Sequence, residues 1–111
     1  MKYKKSRRAL VSLPNGVWKV IDEETISDLS VAVGLTASCI TAEVEWASVQ
    51  AIDGDVRFTL KSGRVPVAAT TGKRIVQDGL LELWGHNEMK NFLAIDDGGT
   101  AKLEISYHGR G

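Results

Sequence analysis

The sequence has little cysteine and proline, no net charge and no long apolar segment. Its single cysteine, Cys39, cannot form an intrachain disulfide, which excludes a secreted scaffold held together by disulfides. No apolar run approaches the ~20 residues of a membrane-spanning helix. Two prolines stand against eleven glycines, a composition that suits many turns between short strands. At 111 residues, the chain is predicted to fold as one domain around its own core.

Basic residues are concentrated at the start of the chain, and the remainder carries a net charge of −5. The five basic residues of this segment are Lys2, Lys4, Lys5, Arg7 and Arg8. We interpret residues 1–8 as a flexible basic arm and residues 9–111 as a single β-sandwich domain. The arm is a candidate contact for an acidic neighbouring subunit or for phosphates. The alternative interpretation is a solvated terminus that aids solubility.

The rest of the sequence bears on which partners the chain could bind and where in the cell it is located. Tyr3 is the only aromatic residue within the arm, and the rest of the chain is acidic, so sequence-specific nucleic-acid binding is not expected. The apolar stretch Ala9 to Leu13 is too short for the core of a signal peptide, and Pro14 to Gly16 interrupts it. We therefore expect the chain to remain in the cytoplasm where it is made, without a membrane contact.

Period-two alternation of apolar and polar residues is the main structural signal. It is clearest from Cys39 to Gln50, where the apolar set is Ile40, Ala42, Val44 and Trp46. This pattern assigns Trp46 to the core. Similar alternation predicts strands at Val56 to Leu60, Leu80 to Trp84, Phe92 to Ile95 and Ala101 to Tyr107, with a short edge strand at Ile75 and Val76.

Turn residues separate these strands. Pro14 to Gly16 predicts a hairpin between Ala9–Leu13 and Gly16–Ile21, and Asp96 to Gly99 predicts another before the last strand. Asp22 to Glu24 is predicted to be a solvated loop, and Gly85 to Asn91 a turn. Thr25 to Thr36 fits a loop or one helical turn followed by a strand. The whole pattern indicates an all-β, antiparallel sandwich of seven or eight short strands, Ig-like or jelly-roll-like.

The sequence offers no arrangement typical of catalysis or metal binding. His86, His108 and Cys39 lack the spacing of a metal site, and both histidines are interpreted as surface residues without a role. Cys39 lies in an apolar stretch and is interpreted as a buried, unreactive thiol. The carboxylate pairs are explained by turns and by a solvated strand face: Asp53 and Asp55, Asp96 and Asp97, and Glu43 and Glu45. We therefore predict no enzyme, no cofactor and no metal.

Three tryptophans remain to be placed, Trp18, Trp46 and Trp84. Trp84 closes a strand and could lie on either face, so it is a candidate surface aromatic. Exposed tryptophans can stack on sugar rings, but a sugar platform needs two exposed rings, and the sequence supports at most one.

The segment from Val56 to Gly109 resembles small β-rich proteins encoded among the structural genes of tailed bacteriophages. The motifs that carry this resemblance are Arg57-Phe58-Thr59, Pro66 to Gly72, Leu80 to Gly85, Asn91 to Ile95 and Gly99 to Tyr107. The start of this segment is also similar to the Ig-like C-terminal module of chitobiases, although Lys61-Ser62-Gly63 replaces the usual Asp-Gly turn. No sugar-binding residue is carried over from that module.

The phage resemblance implies a non-enzymatic virion protein, most simply a capsid decoration or cement protein. Such a protein stabilises the head by binding between subunits of the major capsid protein. It also implies a homo-oligomer, with a trimer favoured, that is assembled in the host cytoplasm and retained in the virion. The alternative is a carbohydrate-binding or Ig-like accessory module of a tail or fibre.

Overall fold

A computed structural model describes residues 18–110 as two four-stranded antiparallel sheets packed face to face. The strands are β1 (Trp18–Ile26), β2 (Val33–Gly34), β3 (Val44–Ile52), β4 (Val56–Thr59), β5 (Lys73–Ile75), β6 (Leu80–Trp84), β7 (Leu93–Asp96) and β8 (Lys102–Arg110). Sheet A has the order β1-β8-β3-β6, and sheet B has the order β2-β7-β4-β5. The predicted all-β antiparallel sandwich is confirmed.

The core lies between the sheets and is built from the inward residues of both. From sheet A these include Leu103, Ile105 and Tyr107, which alternate along β8 and are almost completely buried. From sheet B, Phe58 stacks near Phe92, with 5.9 Å between ring centroids. Period-two burial is the arrangement expected when one face of each sheet packs on the other.

One of the two predicted hairpins can be compared with the structure, the one at Asp96 to Gly99. Asp96 to Gly99 links β7 of sheet B to β8 of sheet A, so this turn crosses between sheets and the hairpin prediction is wrong. Asp78-Gly79 likewise joins β5 to β6 across the sandwich. Asp78 adopts a left-handed φ of 68°, which Asp tolerates better than most residues. The turn residues therefore predicted where the chain reverses direction, but not whether the two strands on either side of a turn pair with each other.

Three local predictions need correction. Asp22 to Glu24 lies within β1 and not in a loop, because β1 is an edge strand, where Asp22 and Glu23 stay exposed and Glu24 is only half-buried. Gly85–Asn91 is a short α-helix, α1, that buries Met89. The strand predicted from Cys39 begins at Val44, and Ala37–Cys39 forms a 3-10 turn. The predicted strand at Ala9–Leu13 and the basic arm lie outside the described residues. Between residues 18 and 110, no helix is long and apolar enough to cross a membrane.

Candidate functional site: an aromatic cluster beside the β6 edge

A row of residues crosses the outer face of sheet A, on the side away from the core. The strand register places Val20 of β1 opposite His108 of β8, His108 opposite Trp46 of β3, and Trp46 opposite Trp84 of β6. Cross-strand neighbours of this kind bring side chains within about 5 Å of each other. The row therefore collects two tryptophans and a histidine that are far apart in sequence.

A bulge at Glu45 brings Trp46 to the outer face. Val44 pairs with Gly109 and Trp46 with His108, so β3 carries one extra residue at Glu45. The extra residue reverses the side-chain alternation, and Val44 faces the core while Trp46 faces outward. Trp46 is buried, with 1% of its surface exposed, but it is not part of the hydrophobic core between the sheets. The prediction that Trp46 belongs to the core was therefore wrong about its face.

The rings of this row form a stack. The centroids of His108 and Trp46 are 4.0 Å apart, and those of Trp46 and Trp84 are 5.0 Å apart, with interplanar angles of 12° in both pairs. Trp18 meets Trp46 and Trp84 edge-on, at 6.2 and 5.7 Å. The guanidinium of Arg110 lies over the Trp18 ring at 5.1 Å. Such aromatic pairs and cation–π contacts each stabilise a fold by roughly 1 kcal/mol.

Burial of this cluster leaves polar atoms without hydrogen bonds. Trp46 Nε1 and both ring nitrogens of His108 have no partner among residues 18–110, and His108 is only 4% exposed. The interpretation of His108 as a surface histidine is therefore wrong. Burial lowers the pKa of His108 from its usual 6.5, and the Glu82 carboxylate opposes that shift. His108 is thus held neutral within the stack.

The depressed pKa of His108 predicts a loss of stability below pH 6.5. The unfolded chain binds a proton at this histidine near pH 6.5, whereas the folded chain binds it only at lower pH. The free energy of unfolding is therefore highest above pH 6.5 and declines as the pH falls below it. Each pH unit by which folding lowers the pKa of His108 corresponds to a total loss of about 1.4 kcal/mol. Urea unfolding of the wild type and His108→Phe at pH 5 and pH 7 measures this effect. The variant should lose less stability than the wild type between these pH values; equal losses would contradict the assignment.

Trp84 forms the exposed end of the stack. Trp84 stacks on Trp46 with one ring face, and no strand among residues 18–110 lies beyond β6 to cover the other; 40% of the Trp84 surface is exposed. Two carboxylates hold this residue: Trp84 Nε1 donates to Glu82 Oε1 at 3.0 Å, and the backbone N–H donates to Glu88 Oε1 at 2.7 Å. The candidate surface aromatic thus lies beside an open strand edge.

Among residues 18–110, no strand pairs with the outer edge of β6, and apolar side chains are exposed beside it. The N–H of Trp84 points away from β3, since it bonds to Glu88. Alternate residues of a strand direct their backbone groups to the same side, so Leu80 and Glu82 also direct theirs over the open edge. Leu80 is 70% exposed, and Val76 is 57% exposed just before the strand. A cavity of about 270 Å³ opens here between β5 and β6, with Ile75 and Leu81 in its lining.

Asp97 and His86 have structural contacts away from the aromatic cluster. Asp97 accepts hydrogen bonds from Ala69 N at 2.6 Å and from Arg57 Nε at 3.0 Å, and it pairs with Arg74. The backbone hydrogen bond from Ala69 is the main cause of the lowered pKa of Asp97. His86 Nε2 lies 2.7 Å from the carbonyl oxygen of Val44. These contacts hold loops against the sheets.

Cys39 and Tyr107 lie near carboxylates at the β1 side of the sandwich. Burial and the neighbouring Asp22 raise the pKa of the half-buried Cys39 thiol to about 11, so it is protonated at neutral pH and a weak nucleophile. The Tyr107 hydroxyl donates to Glu24, which also accepts from the Thr36 hydroxyl at 2.6 Å. The contact with Glu24 thus supplies a hydrogen-bond partner for the buried Tyr107 hydroxyl.

The structure describes only one of the residues that the sequence proposes for partner binding or surface contact. Trp84 belongs to the cluster described above, whereas Lys2, Lys4, Lys5, Arg7 and Arg8 lie outside the described residues. Within residues 18–110, no group of three histidine, cysteine or acidic residues could hold a metal ion. No family model matches the sequence, and neither a curated protein nor a solved structure matches it.

Proposed function

We propose that the chain is a non-enzymatic structural protein of a virion, of the decoration or cement type. In this role it binds between subunits of the major capsid protein and stabilises the head. The proposal draws on the resemblance of residues 56–109 to β-rich proteins of tailed phages. The observation that supports it most is the β6 edge, which no other strand among residues 18–110 covers and beside which Val76, Leu80 and Trp84 expose apolar surface.

An exposed, apolar strand edge is unfavourable for a protein that acts alone. Such an edge tends to pair with other chains, and proteins that remain monomeric usually block it with charges, proline or a covering segment. A decoration protein uses that tendency, since each copy buries this edge when it binds the particle. Many copies on a symmetric lattice also add avidity, so each contact can be weak by itself. A homo-oligomer, with a trimer favoured, would fit a local three-fold axis.

Co-sedimentation with capsid particles tests this proposal. The full chain is mixed with particles assembled from the major capsid protein of the virus or prophage that encodes it, and the particles are pelleted. We expect the chain to pellet with the particles in a fixed ratio to the capsid subunits and to remain in solution without them. A chain that stays in the supernatant at saturating particle concentrations would contradict the proposal.

Carbohydrate binding is the second candidate, and the exposed ring face of Trp84 favours it. Trp46 is buried in the stack and Trp18 is half-buried, so Trp84 is the most exposed of the three tryptophans. A single ring is less than the two-ring platform typical of sugar binding. Binding to a glycan array that Trp84→Ala abolishes, together with no capsid binding, would favour this function over the first.

A further inference from the structure

Two carboxylates beside Trp84 make the β6 edge complementary to a cation. Glu82 and Glu88 both bond to Trp84, and neither forms an ion pair with a basic side chain among residues 18–110. The exposed π face of an indole attracts cations, and adjacent carboxylates strengthen that attraction. The site is thus negatively charged, flat and partly apolar.

The shape of the site favours a guanidinium over an ammonium group. A guanidinium is planar, stacks on an indole face and donates paired hydrogen bonds to a carboxylate. The ring face of Trp84 supplies the stacking surface, and Glu82 supplies a carboxylate 3.0 Å from the indole nitrogen. An arginine side chain could therefore use both features at the same time.

The edge of β6 left unpaired among residues 18–110 suggests that such an arginine would belong to an extended segment that pairs with this strand. An extended segment can add to an edge strand through main-chain hydrogen bonds, and its alternate side chains then lie beside those of the edge strand. Leu80, Glu82 and Trp84 share the outer face of β6. A side chain placed opposite Glu82 on that face would lie within reach of Trp84, which is two residues along the strand.

We propose that the β6 edge binds an extended, arginine-bearing segment of a partner subunit, with the guanidinium seated on Trp84 beside Glu82 and Glu88. Exposed Leu80 contributes apolar contact to the same segment. The inference rests on the proposed function for the identity of the partner, and it names the surface and the chemistry of the contact.

Peptide titration of the full chain, followed by NMR at low salt, tests this inference. The probe is a blocked peptide in which arginine alternates with threonine, and its control replaces arginine with citrulline, which has the same shape without the charge. We expect shifts of the Trp84 indole N–H and of the Leu80 and Glu82 amides. The citrulline peptide should bind at least fivefold more weakly. Equal binding of the two peptides, or shifts confined to other strands, would overturn the inference.

Two glutamate variants locate the contact. Glu82→Gln should weaken binding of the arginine peptide at least fivefold. Glu104→Gln should leave it unchanged, because Glu104 lies on the outer face of the same sheet but bonds to Thr25 on the β1 side. Equal losses in both variants would indicate a nonspecific charge effect and would overturn the inference.

The chain carries arginines of its own in the basic arm. A third variant distinguishes binding of this arm from binding of a partner segment. Arg7→Gln/Arg8→Gln should leave the Trp84 indole signal of the free chain unchanged. A shift of that signal without peptide would identify the arm of this chain as the occupant and overturn the assignment to a partner. No capsid particle is used in these titrations, so their failure leaves the co-sedimentation result standing, and the reverse also holds.

Discussion

Trp46→Ala is expected to destabilise the protein by about 3–5 kcal/mol, the usual cost of removing a buried tryptophan. Trp46 is 1% exposed and lies between the rings of His108 and Trp84, with Trp18 edge-on. Truncation leaves a cavity among these three rings, which lose their contacts with the central indole. The free energy of unfolding in urea measures the effect.

Two control variants accompany this measurement. Val31→Ala alters a side chain that is 66% exposed and should change stability by less than about 0.5 kcal/mol. Trp46→Phe keeps a ring in the stack and should lose less stability than Trp46→Ala, which gives a result even if the alanine variant fails to fold. A loss below about 1 kcal/mol in Trp46→Ala would contradict the view that the ring stack on the outer face of sheet A stabilises the fold.

Leu80→Lys is expected to weaken binding to capsid particles at least tenfold while leaving stability nearly unchanged. Leu80 is 70% exposed, so the substitution removes little buried area from the folded chain. On the particle, a lysine would place a charge in an apolar contact and block the strand edge, as lysines do on natural edge strands. A tenfold loss corresponds to about 1.4 kcal/mol of binding free energy.

Val31→Lys is the matched control for this prediction. Val31 is similarly exposed, at 66%, but lies between β1 and β2 and away from the β6 edge. It receives the same charge, so a general effect of adding lysine would appear in both variants. Co-sedimentation at several chain concentrations gives the affinities. If Leu80→Lys binds as tightly as the wild type, the β6 edge is not the contact surface.

The alternating pattern predicted the sandwich because burial between two sheets imposes a period of two. Leu103, Ile105 and Tyr107 show this directly, since each faces the core of the folded chain. Phe58 and Val44 follow the same rule. What the pattern could not supply was strand pairing, because a turn such as Asp96 to Gly99 has similar residues whether it closes a hairpin or crosses between sheets.

The aromatic cluster was missed because it depends on register and on a bulge. Val44 and Trp46 are two residues apart, which in a regular strand would place both side chains on one face. The bulge at Glu45 instead places them on opposite faces of sheet A. After Trp46, the buried apolar residues move from even to odd positions: Ala47, Val49 and Ala51. This change is the one feature of the sequence that indicates the bulge. His108 had no comparable signal, since its burial comes from tryptophans on other strands.

Helix α1 was also absent from the predictions. Its sequence, Gly-His-Asn-Glu-Met-Lys-Asn, is polar, and Met89 is its one buried residue, so no helical period is visible. A segment this short is stabilised by its contacts with the sandwich more than by its own propensity. The helix matters for the candidate site because Glu88 reaches back from it to Trp84.

Hydrogen exchange of the chain, free and bound to capsid particles, tests the central claim that the β6 edge is the contact surface. The N–H groups of Leu80 and Glu82 point over the open edge and should exchange rapidly in the free chain. On the particle we predict slower exchange across Leu80–Trp84, with little change in the edge strands β1 and β2. Unchanged exchange in Leu80–Trp84, with protection of β1 or β2 instead, would contradict the account.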